Sequence, residues 1–406
     1  MGDDSKNGLE LYLEEHPSIH FVRRGPELHH ILGIVQTRDR EGTSPAGLHL
    51  LRVIGPPGVG KTVLMGQLRE EIEDSKKSQE FVDVGIIDLT PELLDKICVE
   101  EHSDVVDYVH RTLCAACSVP SGSKIVLVVD GPDWDLHEGG DPLAPLASLV
   151  KNEALHVLPL LVVYSAMSDL PKEDFLRRGG APFHTRRRAT ERVKLGGLCS
   201  EDILEITGKC VVDRHEADRV AQEIFYYTYG YPVLVEYLIS RYKEFGISSI
   251  EDLDQDSRRG LLVDLRNCII SALLDSGVPE EYIEDIERFA HMCAFDCGSY
   301  EAVGLCGPDD LAMHPMNEAL IPMNEALIAL FPFVVRGLQG TSVLDPIFRL
   351  PLLRIQRELD PDRYYDLKKK IQEFFKRLSL SEKEDLRKWG KEMLGLVEAV
   401  EIPTNR

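Results

Sequence analysis

Gly55-Pro56-Pro57-Gly58-Val59-Gly60-Lys61-Thr62 fits the pattern G-x-x-x-x-G-K-[ST] at every constrained position. Glycines let backbone N–H groups close around phosphate oxygens, where a Cβ would stand in the way. A lysine at this place reaches the outer phosphates, and the threonine hydroxyl is set to take a place on Mg²⁺. The flanks agree. Leu48 to Ile54 is an apolar run expected to enter the loop as a buried strand, and Val63 to Glu71 has the periodicity of an amphipathic helix leaving it. The dipole of that helix favours an anion at its N-terminus. Gly55, Pro56, Pro57, Gly58, Val59, Gly60, Lys61, Thr62 and Val63 are therefore the expected nucleotide-contacting run.

Outward from the loop, strands alternate with helices. Val82 to Leu89, Lys124 to Asp130, His156 to Ser165 and Arg192 to Leu195 read as further strands, with a helical region over 91–117. Near-continuous apolar strands separated by helices predict an α/β core, a parallel sheet in three layers. Asp130 ends a buried strand in a carboxylate, which suits it to hold Mg²⁺ opposite Thr62. Gly131 follows it and cannot serve as a base, so Asp133 and Asp135 are the acids near enough in sequence to position an attacking water. Ser165 closes the next strand; its hydroxyl reads either as a partner of the outer phosphate or water, or as a strand-end cap. Arg177-Arg178 and Arg186-Arg187-Arg188 form the dense basic run of the first half, where a bidentate arginine suits a phosphate and a solvated loop is the alternative.

The chain has 406 residues, enough for two or three domains, and its 43% hydrophobic and 28% charged content is that of a soluble folded protein. A net charge of −23 opposes sequence-blind binding to DNA phosphates or anionic lipid. The nine cysteines are irregularly spaced. Cys114-Ala115-Ala116-Cys117 lacks a second pair at zinc spacing, so reduced core cysteines in an intracellular compartment are expected. The segment Met1 to Lys6 is acidic, unlike a secretory leader, and the apolar run Val157 to Val163 is too short to span a membrane.

From residue 200 onward the pattern is helical, with a break at Gly230-Tyr231-Pro232. Phe333 to Arg336 and Val343 to Leu350 read as the two strands of a hairpin, which after helices predicts a winged-helix-like domain. Residues 359–400 are expected to be helical, with Lys368-Lys369-Lys370 and Phe374-Phe375 on different faces. The heptapeptide Pro315 to Ile321 recurs as Pro322 to Ile328, a local duplication too short for a solenoid.

Taken in order, these segments resemble the archaeal-type ATPases of the STAND branch within the AAA+ superfamily, relatives of the ATPase module of origin-recognition proteins. The similarity covers about residues 18–355 and rests on Phe21-Val22-x-Arg24-x-x-Glu27-Leu28, the loop, Asp130, Val162 to Ser165, Pro182 to Arg186, Gly230-Tyr231-Pro232 and Asp345-Pro346-x-x-Arg349. The resemblance implies that Val22 and Arg24 lie near the adenine, that Pro232 brackets the nucleotide from a lid, and that Arg186 is an arginine finger. Catalysis would then draw on Lys61, Asp130, Asp133, Ser165 and Arg186, with Thr62 and Asp130 on the metal. It further implies an NTPase core over 18–197, a helical lid over 198–250 and a winged-helix-like domain over 251–355, while the polar, acidic start over 1–17 is expected to be flexible and the charged stretch over 356–406 to form a helical tail. The expected function is an ATP/ADP- and Mg²⁺-binding regulatory switch with slow hydrolysis, acting on a protein partner or by self-association inside the cell, in the cytoplasm. The alternatives are an ATP-dependent DNA-binding protein, which the acidic charge disfavours, and a nucleotide-held scaffold, which Gly131 favours.

Overall fold

The structure, a computed structural model, describes residues 24–36, 47–77, 83–97, 105–121, 123–130, 158–166, 191–210, 214–245, 249–275, 280, 283–292, 334–336 and 342–399. The chain divides into two units. One takes in Arg23–Gly55 and Gly60–Leu195, the other Pro56–Val59 and Gly196–Arg406.

The first unit is built on a parallel sheet. Strands β1 (Gly47–Ile54), β2 (Val84–Asp88), β3 (Lys124–Val129), β4 (Pro159–Ala166) and β5 (Glu191–Lys194) stand in the order β2-β3-β4-β1-β5. The expected α/β core is therefore present. In β3 and β4, Ile125 to Val128 and Leu160 to Val163 are all buried, so both faces of the central strands are covered and the strand reads as an unbroken apolar run. Helix α1 (Gly25–Gln36) buries Leu28, Ile31 and Val35, one face at helical spacing. Its last carbonyls, which have no partner within the helix, are taken by Lys124 Nζ, 3.0 Å from Ile34 O and 2.9 Å from Val35 O. Helix α2 (Lys61–Lys77) buries Leu64, Met65, Leu68 and Ile72. Helices α3 (Pro91–Ile97) and α4 (Val105–Ala116) pack Leu93, Ile97, Val109 and Leu113 against β3 and β4 residues Ile125, Leu127, Leu160 and Val162.

The second unit is helical: α5 (Ser200–Cys210), α6 (Arg214–Thr228), α7 (Pro232–Phe245), α8 (Gln255–Leu274), α9 (Ile283–Phe289), α10 (Pro346–Leu359), α11 (Pro361–Ser379) and α12 (Glu384–Ala399), with the hairpin β6 (Val334–Arg336) and β7 (Ser342–Leu344). The predicted break falls between α6 and α7. Gly230 has φ +75°, and a Cβ there would meet Leu198 O at 1.9 Å, so only glycine fits. The hairpin is antiparallel, pairing Val334 with Leu344 and Arg336 with Ser342.

The second strand is shorter than the expected Val343 to Leu350. It ends at Leu344, and the following residues turn into α10. Asp345 caps that helix, accepting the Ile347 N–H at 3.1 Å, and Pro346 follows in the first turn, where its missing N–H costs nothing. The Asp345-Pro346-x-x-Arg349 segment therefore opens a helix and does not lie on the hairpin. Arg349 is buried in it and donates from Nε to Ala290 O at 2.7 Å. The same Asp-Pro device recurs at Asp360-Pro361, where Asp360 accepts the Arg363 N–H at 3.0 Å. As expected, α11 buries Phe374 and Phe375 and exposes Lys369 and Lys370; Phe375 meets Trp389 of α12 edge-on at 5.2 Å. The heptapeptide duplication and the arginine run over 177–188 lie outside the described residues.

Candidate functional site

The glycine-rich segment takes the strand–loop–helix form expected of it. β1 ends at Ile54 and α2 begins at Lys61, with Leu64 N–H donating to Gly60 O at 3.0 Å as the helix's opening bond. The first turn of such a helix directs its N–H groups and its dipole toward an anion. Gly60 has φ +93°, which a side chain would resist, and a Cβ there would stand in open space.

Lys61 is partly buried and donates from Nζ to Gly55 O at 2.8 Å, bridging the two ends of the loop. Burial pushes its ammonium down to about 8, while the Asp130 carboxylate pulls the other way. The two residues therefore share one electrostatic environment, though 69 positions apart in the chain (130 − 61). Sheet order explains this. All four pairings are parallel, so every strand presents its C-terminal end at one edge, and β4 stands between β1 and β3 there. Ser165 pairs with Val53 on the β1 side, while Tyr164, one residue earlier, pairs with Val129 on the β3 side. Gly55, Ser165 and Asp130 thus follow one another along this edge. Thr62 is exposed at the start of α2, and Asp130 is half-buried.

Arg24, expected near the adenine, is buried at the start of α1. Its N–H donates to Gln67 Oε1 of α2 at 3.3 Å, and its guanidinium lies 3.8 Å from Glu27. Val22, Gly131, Asp133, Asp135 and Arg186 lie outside the described residues.

In the helical unit, Pro232 is buried at the first position of α7. The residue before it, Tyr231, carries a contact that sequence spacing did not signal. Its hydroxyl donates to Pro57 O at 2.5 Å. Both residues belong to the same unit, because Pro56–Val59 groups with the helices. Burial, then the Asp345 carboxylate, drive the Tyr231 phenol well above its ordinary range, so it stays a donor.

Among the described residues no group of three or more His, Cys, Asp or Glu is placed to hold a metal ion by protein ligands alone. Cys114 is buried and Cys117 half-buried, both as free thiols. No described helix is long and apolar enough to cross a membrane.

No protein-family model matches the chain, and no curated protein sequence is similar to it. Solved structures do resemble it. The Walker-type ATPase PABY2304 of Pyrococcus abyssi is 14% identical with a TM-score of 0.44, over 82% of this chain and 97% of that one. The Aeropyrum pernix ORC2 protein, solved in ADPNP–ADP complexes, is 14% identical with a TM-score of 0.40, over 84% and 93%. The Aeropyrum pernix ORC1 protein, solved in complex with DNA, is 12% identical with a TM-score of 0.39, over 88% and 97%. None of these reaches a TM-score of 0.5.

Proposed function

We propose that this chain is a nucleotide-binding switch of the AAA+ type that binds Mg–ATP and hydrolyses it slowly. The observation that carries the reading is the edge where Gly55, Ser165 and Asp130 follow one another, with the Lys61 ammonium bonded to Gly55 O beside a loop that holds glycine at positive φ. A triphosphate suits this arrangement because the helix N-terminus, the loop N–H groups and Lys61 all favour a multiply charged anion. The donor chemistry also fits magnesium. Thr62 offers a hydroxyl and Asp130 a carboxylate, both hard oxygen ligands that would hold the ion. When bound, the ion would neutralise phosphate charge.

Each residue has a role in this reading. Lys61 holds the outer phosphates with its ammonium. Ser165 stands between the loop strand and the acid strand, where its hydroxyl can tell ATP from ADP by hydrogen-bonding the outer phosphate or the attacking water. Asp133 and Arg186 remain the proposed water-positioning acid and arginine finger, and Val22, Arg24 and Pro232 the proposed surround of the base. Gly131 after Asp130 removes the neighbouring acid, so turnover is slow and occupancy of the site is the working signal. The nucleotide state then biases the lid over 198–250 and the winged-helix-like region over 251–355, and through them self-association or a protein partner. Gly131 also favours a second reading, a scaffold held by nucleotide without turnover.

The deciding experiment compares wild type with Lys61→Ala for Mg–ATP binding and phosphate release. Saturable binding and slow release, both lost in the variant, support the switch. Binding without release moves the assignment to the scaffold. Absence of binding in the wild type would sink both.

A further inference from the structure

The loop apex is held by a residue from the turn before α7. Tyr231 is fully buried, and its position is set from several sides. Its N–H donates to Thr228 O at 2.9 Å, its carbonyl accepts Val235 N–H at 2.9 Å, and the neighbouring Gly230 carbonyl accepts Leu198 N–H at 2.8 Å. From this fixed base the phenol reaches Pro57 O at 2.5 Å. Pro56–Val59 closes as a turn through Val59 N–H to Pro56 O at 3.3 Å, and its exposed tip, Gly58, has φ +70°. A Cβ on Gly58 would lie 3.2 Å from Tyr231 Oη and 3.3 Å from Val233 Cβ, so the tip rests directly on this pair.

A trans peptide points its C=O and N–H in opposite directions. Holding the Pro57 carbonyl toward Tyr231 therefore turns the Gly58 N–H away from it. We propose that Tyr231 is a positioning residue for phosphate: its hydroxyl fixes the Pro57–Gly58 peptide so that the Gly58 N–H faces the phosphate chain of the bound nucleotide. This rests on the nucleotide-binding reading above. It gives the hydroxyl a use that ring packing alone does not require. It also makes the turn before α7 a part of phosphate recognition by the loop apex.

The test is Tyr231→Phe, which keeps the ring and removes the donor. Calorimetric titrations with Mg–ATP, inorganic tripolyphosphate and adenosine separate phosphate from base recognition. Without its anchor the Pro57–Gly58 peptide can rotate, and affinity for ATP and for tripolyphosphate should both fall about tenfold, the scale of one buried hydrogen bond. Adenosine binding should be unchanged, which a general loosening of the turn would not produce. Equal ATP affinity in the variant and wild type would overturn the proposal and leave the nucleotide reading standing. A wild type that binds neither ATP nor tripolyphosphate would remove that reading and the proposal with it. Should the variant not fold, the unaltered chain still decides: the Gly58 amide resonance should move on adding tripolyphosphate, and a stationary resonance refutes the assignment.

Discussion

The lowered Lys61 ammonium makes nucleotide affinity depend on pH above neutrality. In the free protein its pKa is about 8, because burial outweighs the attraction of Asp130. A phosphate chain brought against the ammonium supplies the opposite charge that burial lacks, and returns the pKa to its ordinary value near 10.5 or above. The sign follows. Binding then takes up a proton wherever the free lysine is neutral, so affinity is near its full value at pH 7 and declines as pH rises through 8. With a free pKa of about 8, the charged fraction is roughly 0.9 at pH 7 and roughly 0.1 at pH 9, so Kd for Mg–ADP should rise about tenfold across that interval. Calorimetry in two buffers of different ionisation enthalpy should also show uptake of about 0.9 proton per nucleotide at pH 9 against about 0.1 at pH 7. Mg–ADP is the preferred probe because its own phosphates have finished ionising in this range. Lys61→Arg, permanently charged, should abolish the dependence in whatever affinity it retains. A Kd that stays level from pH 7 to 9, with no proton uptake, would refute the placement of Lys61 against phosphate.

Two further predictions concern the helical unit. His291 is buried, donates from one ring nitrogen to Gln356 Oε1 at 3.0 Å, and is held down to about 4 by burial, with Arg349, Arg363 and Lys368 adding to the shift. Its neutral form is native and its unfolded pKa is higher, so its contribution is full above pH 6.5 and is lost as pH falls toward 4. Denaturant titrations at pH 7 and pH 4 should differ by about 3 kcal/mol more in wild type than in His291→Phe, and parallel pH profiles would contradict this. Replacing the α10 cap, Asp345→Ala, should cost about 1 kcal/mol and lower the melting temperature by about 3 °C, whereas Asp345→Asn, which can still cap, should cost less. Equal losses in the two variants would show that the cap is not the source.

The phosphate loop was legible because its chemistry is local. Eight consecutive residues carry both the glycines that permit positive φ and the lysine and threonine that meet the ligand. The strands were legible for a related reason: burial on both faces writes itself as unbroken apolar runs such as Ile125 to Val128. Helix caps are local too, and the second strand of the hairpin, expected to run longer than it does, had its stop signal in view. Asp345-Pro346 starts a helix, but the apolar run from Val343 to Leu350 read as a strand, because a short apolar run fits either period. What tertiary structure alone decided are the relations across long separations. Sequence gives strands but not their order; it is the insertion of β4 between β1 and β3 that sets Ser165 between the loop and Asp130. The pKa of Lys61 is set by burial, which lowers it, against a carboxylate 69 residues away, which raises it, and neither leaves a periodic trace. Tyr231 is the extreme case. Its hydroxyl meets a backbone carbonyl 174 residues earlier, and a carbonyl is present at every position in the chain, so no side-chain pattern could have named its partner.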